Sequence, residues 1–298
     1  MTVLERLPNS ARVGIVRLRS LGDCVLTTPA LDILKRSRPD LEIAVVVEDR
    51  FAPVFEGNSA VSALLAPSVR ALRSFGPDLC LNLHGGTRSA SLTLASGARF
   101  RAGFAHFRFG QAYNTPIPRA QEILGVDRIV HTAEHLASAM FFLGARRVEI
   151  PRARLSAVRQ ANPAPYAVIH PIASNPSKTW PAERFLAVAE KLGMEPVFIA
   201  GPGEDLSAFR AYRTVAGAPL TEIKNLLANA SLFVGNDSGP AHMAAAFGLP
   251  VIVLFGSSNP DIWRPWKTPA ETLTGANGVS SISTEEVMAA ASRLRVPA

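Results

Sequence analysis

Short, continuously apolar runs alternate with helix-length segments along most of the chain, and that alternation leaves few folds open. Runs such as RVGIVRL (12–18), EIAVVVE (42–48) and PVIVLFG (250–256) carry no polar face, as expected of strands covered on both sides by helices. SALLA (62–66), DLCLNLH (78–84) and a short ARFRAGF continue the first series, with helices expected over 27–37, 51–57, 68–76, 87–96 and 131–145. YAVIHP, PVFIAG and SLFVG open a second series, interleaved with AERFLAVAEKLG, DLSAFRAYR, LTEIKNLLAN, GPAHMAAAFG and a capped terminal helix STEEVMAAASRLR. Between the series, PRARLSAVRQANPAP (151–165) has a linker's charge and proline. The expectation is an α/β protein of two Rossmann-like domains, 1–157 and 158–298, with parallel sheets facing a central cleft.

At 298 residues and 48% apolar content the chain can bury two ordinary cores. Its longest apolar runs fall far short of a bilayer span, and MTVLERLPNSAR lacks a signal peptide's apolar centre, so a cytoplasmic protein is expected. Cys24 and Cys80 are too few for a disulfide framework or a cysteine metal site and read as buried thiols. The net charge of +7 is unevenly placed: 20 Lys+Arg stand against 13 Asp+Glu up to Ala157, and 11 against 11 beyond it. The excess is nearly all arginine, which suits planar recognition of phosphate or carboxylate, so an anionic partner for the first half competes with a solvated basic surface. Nucleic acid is not expected, since few aromatics are interleaved with these arginines and no reading motif appears.

Four loops follow expected strands at their carboxyl ends, where open α/β sheets place ligands. In RLRSLGDCVLTTPAL, Asp23 reads either as an N-cap or as a general base. HPIASNPSKTWPAERF carries Ser174, Ser177, Lys178 and Thr179 ahead of a helix; the lysine and hydroxyls can meet a diphosphate, although the glycines of a P-loop are missing. In IAGPGEDL, Gly201 and Gly203 let backbone approach a ligand, and Glu204 or Asp205 can accept from ribose hydroxyls or simply cap a turn. The fourth loop, GNDSGPAHMAAAFG, opens a helix whose first amides, at Gly239, Ala241 and His242, favour a phosphate, with the His242 ring in the same turn.

Taken together and in order, LGDCVLTTPAL, NLHGGTRSA, SKTWP and GNDSGPAHMAAAFGLPVIVLFGSSNP resemble the glycosyltransferase family 9 heptosyltransferases over nearly the whole chain. The resemblance implies the GT-B architecture, with an N-terminal acceptor-binding and a C-terminal nucleotide-sugar-binding domain. It also implies metal-independent, inverting transfer of heptose from ADP-heptose to the inner core of lipopolysaccharide, with no cofactor, at the cytoplasmic face of the inner membrane. By motif, Asp23 matches the catalytic base and Lys178 the donor-phosphate lysine. Ser174 matches a hydroxyl near the phosphates and Glu204 a ribose-binding carboxylate, while Asp237, Ser238, Gly239 and His242 match the donor signature. Arg88 falls where a basic residue is expected on the acceptor side, and the charge division adds Arg17, Arg19, Arg101 and Arg108 as arginines that would meet an anionic glycolipid. A GT-B transferase with another nucleotide sugar or acceptor, and a non-catalytic nucleotide-sugar-binding protein, are the competing readings.

Overall fold

The computed structural model describes residues 1–161, 164–173 and 175–294. The chain forms two compact units, Met1–Ser156 and Ala157–Ala298. In the first unit the strands are β1 (Arg12–Val16), β2 (Glu42–Val46), β3 (Ala63–Leu65), β4 (Leu79–Asn82), β5 (Phe100–Phe104) and β6 (Thr115–Ile117). The second unit holds β7 (Tyr166–His170), β8 (Glu195–Ala200), β9 (Arg213–Ala216), β10 (Leu232–Asn236), β11 (Val251–Phe255) and β12 (Ala270–Thr274). The sheet orders are β3-β2-β1-β4-β5-β6 and β12-β11-β10-β7-β8-β9, and neighbouring strands pair in parallel. Counted from its own first strand, the second sheet has the same order as the first. No sequence repeat announces this.

Both sheets therefore change direction between their first and fourth strands, at β1/β4 and at β7/β10. A crevice opens at such a point, where the loops leave the two strands toward opposite faces. Each fourth strand ends on a fully buried asparagine, Asn82 or Asn236. Asn82 accepts from the amides of His84 and Gly85 at 2.9 and 3.1 Å and donates to Ser89 Oγ and Tyr113 Oη. Asn236 accepts from the Trp180 amide at 3.0 Å and donates to the Pro171 carbonyl at 2.8 Å. Each side chain thus satisfies loop backbone that would otherwise be buried unpaired, and it stiffens the loops beside the crevice.

Three expectations are corrected. The helix expected from residue 27 spans Leu21–Ser37, running through Pro29. Proline offers no amide to the Val25 carbonyl, but the Thr28 hydroxyl donates to that carbonyl at 2.8 Å and offsets the loss. The segment 51–57 is largely a 3₁₀ helix, Asp49–Val54, with Pro53 inside it. DLSAFRAYR forms only the turn Ser207–Phe209, anchored by the Ser207 amide on Asp205 Oδ1 at 2.8 Å, and the chain then extends into β9. Both cysteines are free and buried, and burial pushes their thiols up to about 12 for Cys24 and about 11 for Cys80.

Candidate active site

In the first unit, the residues after β1 build a carboxylate site around Asp23. Ser20 is the N-cap of helix Leu21–Ser37, and Asp23 lies in the first turn. The N-cap reading of Asp23 is therefore corrected: its carboxylate accepts from Ser20 Oγ at 2.9 Å and faces Arg17 Nη1 at 3.4 Å. Arg17 is 5% exposed and Asp23 25%, so the cation is inside and the carboxylate at the rim. Arg17 also donates to the Leu83 carbonyl. Burial pulls its guanidinium below the ordinary arginine range, opposed by the Asp23 charge. Beside the pair, His84 is half-buried, and burial with the positive charge of Arg17 pulls its ring down.

The arginines expected to meet an anion divide into two groups. Arg17 and Arg101 are turned inward, Arg101 onto the carbonyls of Ala112 and Ala98. Arg38, Arg73 and Arg147 likewise cap backbone carbonyls of their own unit. Much of the arginine excess thus staples the fold through its fork of donors. Arg19 and Arg108 are exposed. Arg88 is exposed but tethered, donating to the Pro67 carbonyl at 3.1 Å and lying 3.8 Å from Glu48.

In the second unit, the loops after β7, β8, β10 and β11 carry the donor candidates. Trp180 is fully buried, packs edge-on against Phe185 at 4.9 Å and donates to the Ile282 carbonyl, anchoring the turn that bears Lys178. Lys178 Nζ lies 3.4 Å from Asp237 Oδ2, which also accepts from Ser258 Oγ. The structure therefore joins Lys178 and Asp237, with Asp237 holding the turn. Ser238 is the N-cap of helix Gly239–Phe247 but makes no side-chain bond to it; its hydroxyl sits 3.0 Å from His170 Nδ1. Glu204 accepts from the Gly201 amide at 2.6 Å. His242 is buried, with its ring 6.3 Å from that of Trp263. Ser174 lies outside the described residues.

The family description "Glycosyltransferase family 9 (heptosyltransferase)" matches residues 67–288. The chain belongs to glycosyltransferase family 9. It is similar to lipopolysaccharide heptosyltransferase 3 of Escherichia coli, with 28% identity over 295 residues and 84% of each chain covered. Among solved structures it resembles the family 9 glycosyl transferase from Veillonella parvula, with a TM-score of 0.84, 23% identity and 96% and 97% coverage. It also resembles E. coli heptosyltransferase WaaC with ADP, with a TM-score of 0.79, 19% identity and 95% and 99% coverage. These likenesses show the fold, which is of the GT-B class. No helix among the described residues is long and apolar enough to cross a membrane, and no three or more His, Cys, Asp or Glu among them could hold a metal ion.

For this family 9 chain, sequence reasoning missed Arg17 as the partner of Asp23, and it missed His170, Asn236 and Ser258. Burial pulls His170 from 6.5 to about 4, and burial with His106 and Arg17 pulls His135 to about 4. Both rings are neutral in the fold, whereas the unfolded chain takes up protons below about 6.5. Their contribution to stability is present above that pH and is lost as the pH falls toward 4. For His170 the loss amounts to about 3 kcal/mol once the pH is below about 4. Urea unfolding at pH 7, 5.5 and 4.5 measures the slope, which should be shallower in His170→Asn; an unchanged slope would mean that this ring titrates normally in the fold.

Proposed function

We propose that this chain transfers heptose from ADP-heptose to an inner-core lipopolysaccharide acceptor, with inversion and without a metal ion. The observation that carries the reading is the tethering of Lys178 by Asp237 beside the first turn of helix Gly239–Phe247, at the β7/β10 switch point. The helix end and the ammonium offer positive charge to a diphosphate. Asp237 accepts from one of the three ammonium N–H donors, so Lys178 is held in place with donors to spare. Glu204 accepts from ribose hydroxyls, and Ser174, Ser238, Gly239 and His242 complete the donor site. The similarity to a lipopolysaccharide heptosyltransferase, and to WaaC with ADP, supports the choice of donor and acceptor.

In the reaction, the acceptor hydroxyl oxygen attacks the anomeric carbon as the bond from that carbon to the diphosphate oxygen breaks. Asp23 takes the hydroxyl proton. ADP leaves with the bonding electron pair, its developing charge met by Lys178 and the helix amides, the part a metal would otherwise play. Attack opposite to departure inverts the anomeric centre. Arg19 and Arg88 meet phosphates of the anionic glycolipid, and the protein works peripherally at the cytoplasmic face of the inner membrane.

The test is transfer from ADP-heptose and a panel of other nucleotide sugars to heptose-deficient lipopolysaccharide, with and without EDTA. Turnover confined to ADP-heptose and indifferent to EDTA is expected. Activity restored only by magnesium, or a preference for another donor, overturns the corresponding part. Lys178→Ala should weaken ADP binding by about 1.5–2 kcal/mol, the lower range for a hydrogen bond to a charged group; unchanged affinity by calorimetry removes this lysine from the site.

A further inference from the structure

His170 ends β7, the strand that lies between β10 and β8 in the sheet order. The two loops that flank it carry Ser238, after β10, and Glu204, after β8. His170 is 7% exposed, with Nδ1 in a hydrogen bond to Ser238 Oγ at 3.0 Å and Nε2 facing Glu204 Oε2 at 3.9 Å, beyond hydrogen-bond length. Gly235 brings β10 close enough for this contact: a Cβ there would stand 2.8 Å from the His170 carbonyl oxygen. We propose that His170 is a positioning residue for the nucleotide sugar, holding Ser238 in place across the central strand from Glu204. The proposal rests on the reading that these two residues bind the donor.

The hydrogen-bond chemistry has a direction. The negative charge of Glu204, 3.9 Å away, favours the tautomer protonated at Nε2, which leaves Nδ1 to accept a hydrogen bond from the Ser238 hydroxyl. Two consequences follow for Ser238. Its oxygen keeps lone pairs for a ligand hydroxyl, and it is drawn away from the cap of its own helix, an N-cap serine that makes no capping bond. The first-turn amides of Gly239–Phe247 are thus left by that hydroxyl to an incoming anion. Burial holds the ring neutral, which preserves this polarity of donors and acceptors.

A double-mutant cycle read by ADP calorimetry tests the proposal. His170→Ala should weaken ADP binding about tenfold; in a Ser238→Ala background the same change should cost less than threefold, because the serine no longer needs holding. His170→Asn, which keeps an amide near the place of Nδ1, should recover most of the affinity. Equal losses in the two backgrounds, or no recovery with Asn, make His170 a packing residue and overturn the proposal. If His170→Ala does not unfold cooperatively, the cycle is run with His170→Asn and His170→Leu. The donor reading fails separately: Ser238→Ala and Glu204→Ala would then leave ADP affinity unchanged in the wild-type background.

Discussion

Asp23→Asn is expected to cut the rate of transfer roughly a thousandfold, within the range for loss of a general base. Asparagine preserves shape and an acceptor for Ser20 but cannot take the acceptor proton. It also leaves Arg17 buried opposite a neutral group, so the melting temperature should fall with the rate; removing one partner of a buried pair is costly. The two effects separate through ADP. Every donor candidate belongs to the other compact unit, so ADP affinity should stay within a few-fold of wild type. An Asp23→Asn protein that turns over normally would leave this carboxylate as a counter-ion for Arg17.

Gly256→Ala should lower kcat/KM about a hundredfold, although no chemical group is lost. Gly256 follows β11, and a Cβ there would stand 2.4 Å from the Ser177 carbonyl oxygen and 2.8 Å from Lys178 Cα. These are backbone atoms, so relief requires the lysine-bearing turn to move, and displacements near 1 Å cost that much in an organised site. Overpacking should add about 1–3 kcal/mol of destabilisation. Steady-state kinetics with ADP-heptose beside a thermal melt provides the check. Normal kinetics at a normal melting temperature would show that the turn shifts freely and that its position is not critical.

The legibility of this chain follows burial. The central strands, β1, β2, β4, β7, β10 and β11, are covered on both faces and read as apolar runs. The missed strands β6, β9 and β12 end the sheets, where TPI, RTVA and AETLT are partly or mostly exposed and carry no such run. Among the candidates, Lys178, Asp237 and Glu204 could be proposed from the sequence because the chemistry invoked for them belongs to the residue and its loop. Arg17, Asn236 and His170 could not, because each acts on a partner brought near by the sheet: His170 meets Ser238 across 68 positions and Asn236 meets Trp180 across 56. Gly256 is similar, since its want of a side chain matters only against a turn some eighty residues earlier. The arginine excess was legible as charge, but its inward-facing share was not.

Every strand of the first sheet precedes Ser156 and every strand of the second follows it, so neither half borrows a strand from the other. A chain built this way can be treated as two cassettes. Under the proposed division of labour, the first half of a relative with a different acceptor could be spliced at that junction, leaving the whole ADP-sugar apparatus encoded downstream. Recombination would have a natural seam here, and under that division acceptor preference would diversify across it while the activated sugar stayed the same.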